Sequence, residues 1–230
     1  MDINFLQNNT GRKSDYMVTC LEIGLENNID FILFQEPYIL NSNTISHPAY
    51  NVILPLNHIR PRVAIFHLKK SVFNFELIYN SCDLQIINIL IENKNIQLIN
   101  IYNEKERDKD KDKETLNALY TIERELLNIK PEKNTIIAGD FNAHHSWWNK
   151  NINEPLRANN LVKWLKKYNF ELLNTPDTPT WHRKSSNSSV LDLVFYSNNL
   201  NNNKNFFSWK TDPEIASGSD HEILFYAYNK

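Results

Sequence analysis

Apolar residues in the chain occur mainly in short runs rich in Ile, Val and Phe, separated by polar stretches. Such runs predict β-strands, several of them close enough together for antiparallel pairing. Predicted strands lie at 3–7, 31–34, 52–54, 63–68, 72–78, 84–91, 96–102, 135–138, 171–173, 190–196, 206–209 and 222–228. Two sheets packed face to face, with helices outside them, would bury the apolar sides of these strands.

Helical periodicity predicts helices between the strands, at 14–27, 115–128 and 156–168. Ser14 is the expected cap of the first helix. Its apolar side is expected to carry Tyr16, Cys20, Leu21 and Leu25. The entirely charged stretch 104–114 is interpreted as a solvated loop or an extension of the second helix.

Composition narrows the class of protein. A chain of 230 residues suits one domain, so 1–230 is expected to be a single unit. The formal net charge of −2 provides no general positive field for nucleic acid, and such affinity must come from local basic patches or a metal ion. Two cysteines without a CxxC spacing exclude a disulfide framework and fit a reducing intracellular compartment. The N-terminus has the pattern of neither a signal peptide nor a membrane span.

The most informative motif is the tetrad Gly139-Asp140-Phe141-Asn142, which follows the apolar run 135–138. We expect Gly139 to let the backbone turn sharply, so that Asp140 and Asn142 project from a strand end. A carboxylate can orient or deprotonate a water, and an amide can donate to phosphoryl oxygens without adding charge. The tetrad therefore indicates phosphodiester cleavage, whereas a lone Gly-Asp pair would indicate only an ordinary turn.

Two further acids stand at positions that need an explanation. Glu36 follows the second predicted strand, and it is a candidate ligand for Mg²⁺, which prefers oxygen ligands and takes few carboxylates from protein. Asp192 lies within an apolar run, where a carboxylate is costly to bury unless it is paired. A histidine is a natural partner for it, and we expect Asp192 to orient His221 in Ser219-Asp220-His221.

These motifs resemble, in order through nearly the whole chain, those of the endonuclease/exonuclease/phosphatase family, the family of DNase I. The matching segments are Leu6-Gln7-Asn8-Asn9, Gln35-Glu36-Pro37, Tyr102, Gly139-Asp140-Phe141-Asn142, Ser189-Val190-Leu191-Asp192-Leu193 and Ser219-Asp220-His221. The run from Gly139 to Trp148 and the segment Arg60-Pro-Arg62-Val-Ala-Ile are similar to endonuclease domains of non-LTR retrotransposons. The resemblance implies a four-layer α/β sandwich of two mostly antiparallel sheets with helices outside.

The resemblance also implies roles for the matched residues. Catalytic roles fall to Asn9, Tyr102, Asp140, Asn142, Asp192 and His221, and metal binding falls to Glu36 and Asp220. Asp140 would orient and activate the attacking water, and His221, held by Asp192, would donate to developing negative charge. Asn142 would stabilise phosphoryl oxygens, while Tyr102 would contact the phosphate or the leaving group. The formal base stays open between Asp140 and His221, and the spacing favours Asn9 over Asn8 as the matching amide.

Residues for DNA recognition follow from chemistry. Arg62, Thr180, Trp181 and Arg183 could meet DNA, because arginine suits phosphate or groove contacts and an aromatic ring can wedge at a base step. A structural role for Trp181 fits the sequence equally well. The residues His144, His145, Trp147 and Trp148 have no cysteine beside them, and the two tryptophans are expected to pack the loop of the tetrad.

The sequence thus predicts a Mg²⁺-dependent DNA endonuclease, with Mn²⁺ as an alternative metal, that nicks duplex DNA to leave a 3'-hydroxyl able to prime reverse transcription. It is expected to act as a monomer in the nucleus, away from membranes, either excised from a polyprotein with reverse transcriptase or as a stand-alone relative. Alternatives are a phosphoesterase acting on RNA, abasic DNA or phospholipid headgroups, and a catalytically silent nucleic-acid-binding relative. The Arg-x-Asp-Tyr-like setting of apurinic endonucleases is absent around Asp192, which favours nicking over abasic-site cleavage.

Overall fold

A computed structural model of the chain describes residues 2–55, 60–92, 94–104, 120–150, 156–182, 188–200, 207–212 and 214–229. The strands are β1 (Ile3–Asn9), β2 (Phe31–Gln35), β3 (Tyr50–Ile53), β4 (Val63–Leu68), β5 (Asn74–Asn80), β6 (Leu84–Ile91), β7 (Lys94–Tyr102), β8 (Thr135–Asp140), β9 (Phe170–Leu172), β10 (Trp181–His182), β11 (Ser188–Ser189), β12 (Asp192–Ser197), β13 (Phe207–Thr211) and β14 (Leu224–Tyr228). The helices are α1 (Ser14–Glu26), α2 (Thr121–Arg124) and α3 (Leu156–Lys167), with 3-10 turns at Leu126–Asn128 and Asn198–Leu200.

Two mixed six-stranded sheets form the centre of the fold. Their strand orders are β13-β14-β1-β2-β4-β3 and β5-β6-β7-β8-β12-β9, and β10 and β11 form a small separate ribbon. Within the strands described, β1 pairs in parallel with β2 and β7 with β8, while the other pairings are antiparallel. The predicted arrangement of two mostly antiparallel sheets is therefore confirmed.

Three hydrophobic clusters produce the four layers. One cluster lies between the sheets and includes Phe5 and Leu33 from the first sheet and Leu98 and Ile136 from the second. A second packs α3 on the outer face of the second sheet, and a third packs α1 on the outer face of the first. This layering is the predicted DNase I-like α/β sandwich. No helix in the described part of the chain is long and apolar enough to cross a membrane.

Some local predictions were wrong. Ser14 is the first residue of α1 rather than its cap, which is Lys13, and no side chain caps the helix. The buried stripe of α1 contains Met17 and Gly24 with Cys20 and Leu21, and Leu25 is 41% exposed, because the packed face is rotated from the expected one. The described part of the predicted 115–128 helix breaks at Glu125, whose carboxylate pairs with Arg124 and accepts from Ser81.

Gly139 also differs from expectation. It lies inside β8, opposite Ile101 of β7, and not in a turn. A Cβ atom at this position would lie 1.9 Å from the carbonyl oxygen of Ile101. The glycine is required because the neighbouring backbone approaches so closely. Gly139 also has a positive φ, 156°, and the tetrad residue with left-handed backbone is Asn142, with φ of 42°.

Candidate active site

The two parallel strand pairs carry the candidate residues to one edge of the sandwich. Asn9 ends β1, Glu36 follows β2, Tyr102 ends β7 and Asp140 ends β8. Carboxyl ends of parallel strands point to the same side of a sheet, and the bond from Asn9 Nδ2 to Asp140 Oδ2, 2.9 Å long, joins the two sheets there. The fold thus brings together residues that are 131 positions apart in sequence.

Asp140 lies at the centre of this edge and is buried, with 1% of its surface exposed. Its second carboxylate oxygen accepts from the backbone N–H of Asn142 at 3.0 Å. Burial raises the pKa of Asp140 to about 7, and the charge of Asp192 adds to the rise, while His221, Asn9 and the Asn142 amide oppose it. A carboxylate whose pKa lies near neutrality can exchange a proton under physiological conditions.

The turn after Asp140 is fixed by Asn103, a residue outside the predicted site. The N–H of Asn103 donates to the carbonyl of Asp140 at 2.8 Å, and its side-chain amide donates to the carbonyl of Phe141 at 2.9 Å. The side chain of Asn142 in turn donates to the Asn103 carbonyl at 2.8 Å. Asn103 follows Tyr102 directly, so its position at the end of an apolar strand was the available signal.

His221 and Asp192 form the second half of the site. His221 Nδ1 lies 2.8 Å from Asp192 Oδ2, which is the contact that the sequence hypothesis requires. Burial opposes protonation of His221, but the charge and hydrogen bond of Asp192, followed by the charges of Asp140 and Asp220, outweigh it and raise its pKa to about 9. Asp192 pairs with Asp140 in the register of β12 and β8, and ligand atoms of Asp140, Asp192 and His221 lie within 4.8 Å of one another.

Replacing Asp192 with asparagine tests the electrostatic link in this pair. Because Asp192 supplies the largest favourable contribution to the imidazolium, we expect the pKa of His221 to fall from about 9 towards or below its ordinary value of 6.5. NMR titration of the histidine Cε1 protons in EDTA measures this pKa, and the spectrum of His221→Gln assigns the resonance.

Glu222→Gln is the matched control for this substitution. It removes the carboxylate that pairs with His182 at 3.0 Å and leaves the Asp192–His221 pair intact, so the pKa of His221 should stay near 9. An unchanged pKa of His221 in Asp192→Asn would show that the pair is not the source of the shift.

Glu36 directly follows β2 and has a backbone φ of 44°. Its N–H donates to the carbonyl of Arg62 at 2.8 Å, and its carboxylate pairs with Arg12 at 2.9 Å. Burial, followed by the charges of Glu36 and Asp140, raises the pKa of Tyr102 above its ordinary value, which places the phenol within electrostatic reach of both acids. Arg12 was not selected from the sequence, although it follows Asn9 by three positions.

Comparisons with known proteins identify the family. The sequence profile described as "Endonuclease-reverse transcriptase" matches residues 96–225, more than half of the chain. The chain belongs to this family. A search of curated proteins gives no significant match.

Solved structures show the same fold at low sequence identity. The endonuclease domain of TRAS1, a telomere-specific non-LTR retrotransposon, has a TM-score of 0.76 and 19% identity over 99% of both chains. D. rerio TDP2 complexed with single-strand DNA product has a TM-score of 0.61 and 13% identity, covering 100% of this chain and 99% of the other. The human Nocturnin catalytic domain with bound sulfate has a TM-score of 0.59 and 15% identity, covering 99% and 94%.

Membership in the endonuclease-reverse transcriptase family makes the protein a hydrolytic phosphodiesterase or nuclease, and such enzymes are typically dependent on a divalent metal ion. The residues fit such an ion. Asp140 and Asp192 place buried carboxylates side by side, and Asp192 Oδ1 has no hydrogen-bond donor among the residues described. Glu36 adds a partly exposed carboxylate at the same edge. Oxygen donors of this kind suit a hard cation.

The two residues predicted to hold the metal ion are thus outside the tightest cluster of potential ligand atoms. In the described residues that group is Asp140, Asp192 and His221, and it contains neither Glu36 nor Asp220. Asp220 is exposed, and its carboxylate accepts from the indole N–H of Trp181 at 2.9 Å. Its charge still acts on His221. Glu36 is the better placed of the two predicted ligands, because its charge and that of Asp140 both act on Tyr102.

Residues predicted to meet DNA have different surroundings. Thr180 is fully buried, and its hydroxyl accepts from the N–H groups of Leu191 and Asp192 at 3.0 and 2.9 Å, so the predicted DNA contact is wrong and its role is to hold the Asp192 backbone. Trp181, in β10, is partly buried and also forms an isolated antiparallel bridge with His221. Arg183 lies outside the described residues.

Arg62 pairs with Asp83 and Glu104. In the loop of the tetrad, Trp148 is buried and its indole donates to the Ala143 carbonyl at 3.1 Å. Trp147 packs on Phe195 with ring centroids 5.7 Å apart. The predicted packing role of these two tryptophans is confirmed.

Proposed function

We propose that the protein is a Mg²⁺-dependent endonuclease that nicks duplex DNA by phosphodiester hydrolysis and leaves a 3'-hydroxyl. The observation that carries the proposal is the convergence of Asp140, Asp192 and His221 within 4.8 Å at one edge of the fold, in a chain whose family is described as endonuclease-reverse transcriptase. A nick with a 3'-hydroxyl is the end from which a reverse transcriptase can extend. The resemblance of the fold to a retrotransposon endonuclease domain and to a TDP2 bound to single-strand DNA product supports DNA as the substrate.

The side chains divide the chemistry between them. Asp140, held in place by Asn9, accepts a proton from the attacking water, because its pKa of about 7 suits a general base near neutrality. His221 is held by Asp192 in its charged form, and it donates a proton or hydrogen bond to the negative charge that develops at the phosphate. Neighbouring groups with separated pKa values can thus serve as base and acid.

Other residues complete the proposed site. The Asn142 amide donates one hydrogen bond to the Asn103 carbonyl and has a second N–H for a phosphoryl oxygen. The phenol of Tyr102 lies within electrostatic reach of Glu36 and Asp140. Glu36 would hold Mg²⁺ at this edge, and the ion would supply Lewis-acid stabilisation of the phosphate and the leaving oxygen. With a net charge of −2 the protein has no general attraction for DNA, so binding should be weak and sensitive to salt.

A nicking assay on supercoiled plasmid, with the metal ion present and then removed, tests this proposal. With Mg²⁺ the protein should convert supercoiled plasmid to the nicked circle, and excess EDTA should lower the rate by roughly a hundredfold or more, because a metal ion contributes several kcal/mol of transition-state stabilisation. Added Mg²⁺ or Mn²⁺ should restore the rate. Extension of the nicked product by a DNA polymerase, without prior phosphatase treatment, reports the 3'-hydroxyl.

The controls separate this function from its rivals. Duplex RNA, an abasic duplex and phosphoinositide are supplied as competitors at equal phosphodiester concentration. Preferential cleavage of one of them would show that this compound, and not intact DNA, is the substrate. DNA binding without turnover in Mg²⁺ and in Mn²⁺ would indicate a catalytically silent relative. Nicking that survives EDTA would contradict the metal-dependent mechanism.

A further inference from the structure

Arg62 belongs to an ion-pair cluster beside the candidate site. Its guanidinium donates to both carboxylate oxygens of Asp83 and to Glu104, and Arg124 donates to Asp83 at 2.7 Å. We call these four residues the Arg62 cluster. The Asp83 side chain is only 2% exposed, and Arg124 also pairs with Glu125, so the two arginines contact three acids. Bidentate pairing with a buried carboxylate fixes the plane of a guanidinium, so Arg62 has a defined orientation.

The fixed guanidinium lies over the ring of Tyr102, with its central carbon 5.3 Å from the ring centroid. The same cluster holds the tyrosine backbone, because the N–H of Tyr102 donates to the carbonyl of Asp83 at 2.9 Å. Tyr102 is therefore held both through its main chain and across a ring face. The Arg62 carbonyl also accepts from the N–H of Glu36, so the segment touches a second candidate site residue.

We propose that Arg62 is a positioning residue for Tyr102. The guanidinium, fixed by Asp83 and Glu104, sets the orientation of the tyrosine ring and so places the phenol hydroxyl for the phosphodiester. This inference rests on the proposed function and deepens it. It is an alternative to the predicted DNA contact of Arg62, because the Nε and Nη2 donors are already bonded to carboxylates.

Arg62→Lys is the informative substitution. Lysine keeps the positive charge beside Asp83 but lacks the planar group that stacks on a ring and bonds two oxygens at once. We expect the single-turnover cleavage rate at saturating DNA to fall about tenfold or more, since small displacements of a positioned group reduce rates strongly. The dissociation constant for DNA and its dependence on salt should stay unchanged.

A mutant cycle with Tyr102→Phe shows whether Arg62 acts through the tyrosine. Removing the hydroxyl should itself lower the rate, and Arg62→Lys should then cause no further loss in the Tyr102→Phe background. Arg60→Lys is the matched control, because Arg60 is an exposed arginine in the same segment. It should leave the cleavage rate within about twofold of wild type, as surface changes usually do.

A measurement without turnover separates this inference from the proposed function. In protein labelled with 3-fluorotyrosine, the ¹⁹F resonance that disappears in Tyr102→Phe belongs to Tyr102. We expect Arg62→Lys to shift that resonance and Arg60→Lys to leave it in place. If Arg62→Lys shifts this resonance although the wild-type protein does not cut DNA, the positioning of the Tyr102 ring by Arg62 is supported. In that case only the DNA-nicking proposal is overturned.

Three outcomes would overturn the positioning role. The first is a Tyr102 resonance that does not respond to Arg62→Lys. The second is independent effects of Arg62→Lys and Tyr102→Phe, with their rate losses multiplying in the double variant. The third is weaker DNA binding with a salt slope reduced by about 1 and an unchanged cleavage rate, which is the behaviour of a phosphate contact.

Discussion

Replacing Asp140 with asparagine is expected to reduce plasmid nicking by roughly a hundredfold to ten-thousandfold, the usual effect of losing a positioned proton-transfer group. Asparagine keeps the size of the side chain and its one carbonyl oxygen can still accept from Asn9, but its amide nitrogen cannot accept from the Asn142 N–H. The change therefore removes the basic oxygen, the charge and one hydrogen bond, but little of the packing. Single-turnover nicking rates in saturating Mg²⁺ measure the loss.

The same substitution should not weaken the fold. Burial and the charge of Asp192 raise the pKa of Asp140 above its ordinary value, which means that the ionised carboxylate is unfavourable in the folded state. An acid with a raised pKa destabilises the native state as pH rises above its ordinary value, and a neutral amide removes that penalty. Loss of the hydrogen bond from the Asn142 N–H offsets part of this gain, so thermal unfolding at pH 7 should give a Tm close to that of wild type.

Asp177→Asn provides the control for the Asp140 experiment. Asp177 is an acid with 39% of its side chain exposed and an ion pair to Lys150 at 3.4 Å, and its loss should change the nicking rate less than twofold. Asp140→Asn with more than about a tenth of wild-type activity would remove Asp140 from the mechanism. A loss of both activity and folding would show instead that the carboxylate is structural.

The sequence was sufficient to predict those parts of the site that depend on local chemistry. Apolar runs marked the strands, and a polar residue directly after such a run marked Asp140 and Glu36. The pairing of Asp192 with His221 followed from the cost of burying an unpaired carboxylate, and the structure contains that contact at 2.8 Å. For the three acids the decisive information lay within a few residues of the position concerned, whereas His221, 29 positions from Asp192, was selected by its chemistry.

What could not be predicted depends on neighbours that are distant in sequence. Thr180 is a polar residue next to Trp181, which favours a surface contact, but in the fold its hydroxyl accepts from the Asp192 N–H. Arg62 has the charge of a DNA contact, and only the fold shows that Asp83 and Glu104 hold it. A single sequence does not reveal which arginine meets a buried acid, because the pairing is set by how strands and loops assemble.

The substitution Gly139→Ala is expected to destabilise the protein by about 3 kcal/mol, the upper end of the usual cost of overpacking. A Cβ atom there would lie 1.9 Å from the Ile101 carbonyl oxygen and 2.8 Å from the carbonyl carbon, and backbone atoms cannot move aside without opening the parallel β7–β8 pairing. Asp140 is the next residue, so nicking by the molecules that remain folded should fall as well. Urea unfolding measures the free energy, and single-turnover nicking measures the second effect.

Gly11→Ala is the control for this substitution. It shows how much of the destabilisation comes from losing a glycine and how much from the contact between β7 and β8. Gly11 also has a positive φ, 54°, but a Cβ atom there would meet nothing within 4 Å. Its replacement should cost about 1 kcal/mol, the strain of a left-handed backbone. If Gly139→Ala destabilises the protein no more than Gly11→Ala, then β7 and β8 can separate at little cost, and the contact with Ile101 is not the reason that the tetrad begins with glycine.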